Sequence, residues 1–258
     1  MTEPPKKKRK LPSLDAAFSA PPRVSDSPEL HQGRTRSVPH AQGQWASHVY
    51  LELIPSDELR KTLEKALKLA TPSPTETEEQ KAAVHSLLPV SAVASKEKTV
   101  KEQPPLHLSL SRPLILQTNQ RAELRAALAK LTAQTKSFSA RYATFAWLEN
   151  DDKTRRFLGI EIGQGYDAMK DFVALLNTSL STLRLPPYYD NPRFHTSIAW
   201  SNHTSATSSH ISSPPPFDEA QLADLERKLG KALREEELWV GQVCVKIGQQ
   251  VTRYTFVG

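Results

Sequence analysis

The sequence predicts an α+β protein of two pseudo-symmetric lobes, each an antiparallel sheet with helices on its outer face, and a cleft between them. Three observations lead there. Strand-like runs, two of them joined as a hairpin over residues 141–162, are interspersed with amphipathic helices along residues 37–258. A His-x-Ser triplet inside an apolar strand occurs twice, as His107-Leu-Ser109 and His195-Thr-Ser197, with the histidines 88 residues apart. Each triplet strand is followed by a helix and further strands, the order expected of an internal repeat.

Residues 1–36 are rich in Pro, Ser and charge and carry few large apolar groups. They bury too little surface to offset chain entropy and are predicted to be a disordered tail. The folded body is predicted to begin near Ser37. Trp45 and the alternating run His48–Ile54 mark the first strand. Ser56 is placed to cap a helix, with Asp57 and Glu58 at its positive end and Leu59, Leu63 and Leu67 on one face. Residues 71–80, with two prolines, read as a loop. Leu106–Ser111 is the first triplet strand. Asn119–Gln134 follows as an amphipathic helix with Leu124, Leu128 and Leu131 on its stripe. Residues 141–148 and 154–162 alternate about a polar Glu149–Asp152 turn, which predicts a hairpin. Asp167–Leu183 is a second amphipathic helix, stopped by Pro186 and Pro187. Arg193–Trp200 is the second triplet strand, and residues 201–216 form an aperiodic Ser/Thr/His/Pro loop. Asp218–Arg234 is a third helix, with Leu222, Leu225, Leu229 and Leu233 buried. Strands over Trp239–Ile247 and Thr252–Val257 complete the series.

The formal net charge is +6, but residues 1–40 hold eight Lys/Arg against four Asp/Glu. The body is only mildly basic, so any nucleic acid is met through a local cleft rather than a broad basic face. The cluster Pro5-Lys-Lys-Lys-Arg-Lys10 reads as a nuclear import signal. Cys244 is the single cysteine, so neither an intramolecular disulfide nor a cysteine metal cluster can form, which suits a reducing compartment. No apolar run reaches membrane-span length, and the charged, Pro-rich start is unlike a secretory signal.

In a strand, residues two apart share a face. Each triplet therefore sets an imidazole beside a hydroxyl. Two such strands facing one another would supply a proton acceptor, a proton donor and two hydroxyls for phosphate oxygens, a set suited to metal-free phosphodiester chemistry. A lone histidine in an apolar strand is more often structural, and the pairing of two triplets carries the functional reading. Zinc is disfavoured because neither triplet strand holds a carboxylate and no H-E-x-x-H occurs. A Ser-His-Asp hydrolase is disfavoured because neither serine lies in a G-x-S-x-G turn. On residue grounds His48 can line the cleft but is expected to be structural, His203 and His210 are expected to be solvated, and Tyr188 and Tyr189 to be loop-packing aromatics.

Five segments extend the pattern: Pro39–Tyr50, Leu106–Ser111, Lys153–Glu161, Tyr189–Trp200 and Cys244–Gly248. In these the chain resembles the two-histidine (2H) phosphoesterases, and more narrowly the U6 snRNA phosphodiesterase family. Thr196 stands where that family usually has an aliphatic residue. The resemblance implies a metal-free 3′-to-5′ exoribonuclease acting in the nucleus on the uridine-rich, single-stranded 3′ end of U6 snRNA. It implies attack by the 2′-hydroxyl to leave a 2′,3′-cyclic phosphate, which some 2H enzymes then open with water. It makes His107 and His195 the acid–base pair, Ser109 and Ser197 phosphate holders, and Tyr189 a base-stacking residue. A monomer with no cofactor, metal or membrane partner is expected. A 2H enzyme acting on small or tRNA-splicing cyclic phosphates and a non-catalytic RNA-binding module are the alternatives. Which histidine is base and which is acid stays open.

Overall fold

A computed structural model describes residues 41–71, 84–89, 105–202 and 217–258. The predicted tail, its Pro5–Lys10 cluster, the loop at 72–80, His203, His210 and the rest of 203–216 lie outside these residues. The compact unit is Gly43–Gly258. Its described elements run β1 (Gln44–Leu53), α1 (Asp57–Ala70), β2 (Val84–Ser86), β3 (Leu106–Ser109), β4 (Leu114–Gln117), α2 (Gln120–Thr132), β5 (Phe138–Glu149), β6 (Arg155–Ile162), α3 (Tyr166–Thr182), β7 (His195–Asn202), α4 (Glu219–Glu235), β8 (Glu237–Val240), β9 (Gln242–Ile247) and β10 (Gln250–Thr255). Among them, no helix is long and apolar enough to cross a membrane.

Local sequence explains the helix ends. The Ser56 hydroxyl accepts from the Leu59 N–H at 3.0 Å and opens α1, with Asp57 and Glu58 in its first turn. Asp218 and Gln221 form a reciprocal capping box on α4. Asn119 makes no side-chain cap on α2. Instead Gln120 accepts from the Gln117 N–H at 2.7 Å and donates to the Leu183 carbonyl at 2.8 Å, tying the start of α2 to the end of α3. α3 opens at Gly165, which has a φ of 86° and where an added Cβ would come within 2.8 Å of the Ala140 Cβ, so there is no room for a side chain. It ends at Thr182, before the prolines, with Arg184 in the left-handed region.

The strands pair antiparallel in the order β10-β9-β1-β3-β7-β6-β5-β8, with β4 also on β1 and β2 also on β7. The sheet has two halves, β10-β9-β1-β3 and β7-β6-β5-β8. They meet at one residue pair, Leu108 with Thr196. Two short strands, β2 and β4, escaped prediction because three or four residues carry too little alternation to read. The predicted strand over Trp239–Ile247 is two strands. β8 pairs with β5 at one end of the sheet, and β9 pairs with β1 near the other. Gly241 is the only residue between them, and a Cβ there would come within 2.9 Å of the Trp239 indole nitrogen. The sheet therefore curls until β8, at one end, is one residue from β9, the second strand from the other. The Phe256 N–H donates to the Gly241 carbonyl at 2.8 Å, and the Val257 N–H to that of Thr135 at 2.9 Å, fastening the closure.

The helices cover the sheet by exchange. α1 follows β1 yet packs against α4 and β7, while α4 lies on β5. α3 follows β6 yet packs on α2, which lies over β4, β9 and β10. The apolar faces of both halves and the helices meet in one continuous core that includes Val49, Leu108, Leu124, Leu158, Leu176, Ile198, Leu233 and Val245.

Candidate active site

Alternation along each strand assigns the side chains to two faces. Val49, Leu51 and Leu53 of β1, Leu106 and Leu108 of β3, Thr196 and Ile198 of β7, and Val243, Val245 and Ile247 of β9 are buried toward the helices. His48, Tyr50, His107, Ser109, His195, Ser197 and Lys246 occupy the intervening positions and share the opposite face. In an antiparallel pair centred on Leu108 and Thr196, His107 lies across from Ser197, and Ser109 across from His195. The two triplets are thus related by a local twofold at the seam.

The neighbouring strands extend this relation. Glu52 on β1 is paired across from His107, and Glu161 on β6 across from His195. Both carboxylates are held by arginine. Arg253 donates to Glu52 through Nε at 2.8 Å and Nη2 at 2.9 Å, and Arg193 donates to Glu161 through Nε at 2.5 Å. Across from Ser109 stands Tyr50, whereas across from Ser197 stands Gly159. A Cβ at Gly159 would lie 3.2 Å from the Thr196 carbonyl oxygen and 3.6 Å from His195 Cδ2, so glycine lets β6 approach the second histidine closely.

The two triplet histidines sit in different surroundings. His195 Nδ1 is 2.6 Å from the Arg193 carbonyl oxygen. A carbonyl only accepts, so Nδ1 carries the proton and Nε2 is left for the cleft. Burial lowers the His195 pKa, while the Arg193 carbonyl and Glu161 push it back up. His107 is exposed on the cleft side and flanked by rings, with His48 edge-on at 5.4 Å and Tyr50 edge-on at 5.8 Å between centroids. Burial lowers its pKa, and the charges of His195 and Lys246 lower it further. Of the two, only His195 has neighbours that favour its protonated form, with the Arg193 charge opposing them. Among the described residues, no group of three or more His, Cys, Asp or Glu is placed to hold a metal ion.

His48 lies on this face, in the cleft-lining one of the two placements open to it. Its Nε2 lies 3.0 Å from Ser109 Oγ, and its ring stacks on Tyr50 at 5.2 Å and 14°. Burial, then the charges of His107 and Lys246, lower its pKa to about 3. Tyr50 and Lys246 were missed. The alternation His48-Val-Tyr50 carried the signal that both rings share a face, but the pairing of β1 with β3 and β9 was not readable.

Tyr189 stands apart from the triplets. Its hydroxyl donates to Asp151 Oδ1 at 2.7 Å in the β5–β6 turn, and the Arg112 guanidinium lies 4.1 Å over its ring. Arg112 is three residues beyond Ser109. Among the described contacts, none joins Tyr189 to the four triplet side chains. Its ring is 37% exposed, whereas Tyr188 is buried, stacks on Phe194 and packs the loop as expected.

Comparison with known proteins agrees with the resemblance read from the motifs. The chain is 26% identical to mouse U6 snRNA phosphodiesterase 1 over 74% of this chain and 64% of that one. It is 29% identical to the Neurospora crassa protein of the same name over 90% of this chain and 69% of the relative. The human protein of that name is 26% identical over 76% of this chain. The chain thus spans about two thirds of the length of these relatives. In fold it is similar to Kluyveromyces marxianus Usb1, with a TM-score of 0.54 at 14% identity over 82% of this chain and 98% of that one. The same protein with uridine monophosphate gives 0.53. A family model, described as HVSL, uncharacterised conserved protein, matches residues 10–255, and with that span covered the chain belongs to the HVSL family.

Proposed function

We propose that this protein is a metal-independent RNA phosphodiesterase that trims the uridine-rich 3′ end of U6 snRNA in the 3′-to-5′ direction. The observation that carries this reading is the antiparallel Leu108–Thr196 register, which faces two His-Ser pairs across one seam. The names of the relatives supply the substrate. The 2′-hydroxyl of the penultimate nucleotide attacks the scissile phosphorus, one imidazole takes its proton, and the other, as imidazolium, protonates the departing 5′-oxygen. The P–O5′ bond breaks as the 2′-O–P bond forms, leaving a 2′,3′-cyclic phosphate and a released nucleoside or nucleotide with a free 5′-hydroxyl. The same pair can then direct water onto the cyclic ester. Ser109 and Ser197 hold the non-bridging oxygens, and Tyr189 offers its ring to the terminal base. The nearest carboxylates, Glu52 and Glu161, are committed to arginines, which favours proton transfer by imidazole over metal chemistry. A nuclear location and action as a monomer without cofactor belong to the same reading.

The test is incubation of the purified protein with a 3′-uridylated RNA in excess EDTA, followed by sizing and end analysis. Stepwise shortening to ends carrying a cyclic phosphate or its hydrolysis product is expected. A substrate with a single 2′-deoxy sugar at the penultimate position should bind and resist cleavage. Activity lost in EDTA and restored by a divalent metal, or rapid cleavage of the deoxy substrate, overturns the mechanism.

A further inference from the structure

We propose that His48 is a positioning residue that sets the direction of the Ser109 hydroxyl: it donates Nε2–H to Ser109 Oγ and so turns the hydroxyl proton toward the cleft, where it meets a non-bridging oxygen of the RNA phosphate. The proposal rests on the phosphodiesterase reading for its phosphate end alone.

A hydroxyl has one proton and two acceptor lone pairs. If Ser109 spends its proton on His48, it turns lone pairs toward an anion. If His48 supplies the proton, the Ser109 hydroxyl is free to donate to that anion. The 3.0 Å contact brings the two atoms within hydrogen-bond distance, and only the imidazole tautomer decides the direction. The His48 ring is held for this task. It stacks on Tyr50, meets His107 edge-on and faces Lys246 across the β1–β9 pair. These groups surround it without a carboxylate, since Glu52 is engaged by Arg253. A reversed role, with His48 as the base that makes Ser109 a nucleophile, fails on two counts. Its affinity for protons is far too low, with a pKa of about 3. No carboxylate among the described residues orients its Nδ1, as an activated serine requires. The arrangement is also one-sided. Ser197 has Gly159 across the ladder and no imidazole partner among the described residues, so the twofold of the triplets is broken at the serines. Ser109 is the aimed hydroxyl and Ser197 the adaptable one.

Two arms test this on the full chain. Long-range 1H–15N NMR of the histidine rings reads the tautomer without any substrate. His48 is expected with a protonated Nε2 and a bare Nδ1, unchanged between pH 8 and 5. A bare Nε2, or titration within that range, overturns the donation. The kinetic arm compares His48→Phe, which keeps a ring on Tyr50 but loses the donor, with His48→Gln, which restores an N–H near the Nε2 position. His48→Phe is expected to lower kcat/KM on uridylated RNA about tenfold, the scale of one hydrogen bond, and His48→Gln to recover most of it. In a Ser109→Ala background, adding His48→Phe is expected to cost nothing further. Full additivity of the two changes, or a folded His48→Gln no better than His48→Phe, overturns the positioning role. If the wild-type protein cleaves no RNA, the phosphodiesterase reading falls and the phosphate end of this proposal with it, while the NMR arm still decides the donation to Ser109.

Discussion

His107 and His195 are read as supplying one proton transfer each, a contribution of about 10²–10⁴ in rate. His107→Ala and His195→Ala are each expected to cut trimming by that factor while leaving thermal melts near wild type. A folded variant that trims normally would remove its histidine from the pair. Both pKa values are lowered by burial, so the bell-shaped kcat/KM profile, which titrates the free enzyme, should have both limbs on the acid side of an ordinary imidazole. Limbs at or above pH 6.5 would contradict this. Tyr189 is held through its hydroxyl as well as its ring. Tyr189→Ala is expected to weaken RNA binding by about 1–3 kcal/mol, the worth of one stacked base. Tyr189→Phe loses the Asp151 bond and should fall between Ala and wild type in titrations with uridylated RNA. Equal binding by all three proteins would leave the ring a loop element. At this scale the sequence displayed the four triplet residues, because a His-x-Ser spacing in a strand dictates a shared face. It left the neighbours of His48 unread, because a histidine acquires them from strand pairing, and pairing leaves no mark in local periodicity.

Among the elements, those with long periodic runs were legible: α1, α3, α4 and the β5–β6 hairpin appear close to their predicted bounds. The failures cluster where strand partners change. Gly241 divides what looked like one strand because its two sides join different halves of the sheet. The β6–β7 ladder offers a direct test of how strand spacing governs the site. Gly159→Ala would press a methyl toward the Thr196 carbonyl and His195, within 2.9 Å of the movable Leu148 Cδ1. Overpacking of this kind costs about 1–3 kcal/mol. The variant is expected to lose that much stability in denaturant melts and about tenfold in kcat, as β7 shifts by a few tenths of an ångström. Wild-type rates with an unchanged melt would mean that the contact relaxes without moving His195.

For the whole molecule, the half-buried His48 makes stability depend on pH. The unfolded chain protonates His48 near 6.5, whereas the folded chain resists to about 3. The unfolded state therefore binds the proton first, and stability falls as pH drops from 6.5 toward 3. His48→Gln should lose less stability than wild type between pH 7.5 and 4.5 in urea titrations; parallel losses would show that His48 contributes nothing to the acid slope. The exchange of helices and the late arrival of β9 have a different consequence, for synthesis. β1 ends at Leu53, yet its central partner β9 begins at Gln242, and α1 waits for α4. Contacts so distant in sequence delay folding. A nascent chain on the ribosome therefore exposes β1 with an open edge until residues beyond Ile247 have been translated. Its co-translational life is that of a client needing protection, and arrest-peptide force measurements should register the pull of folding only once residues beyond Ile247 have left the exit tunnel.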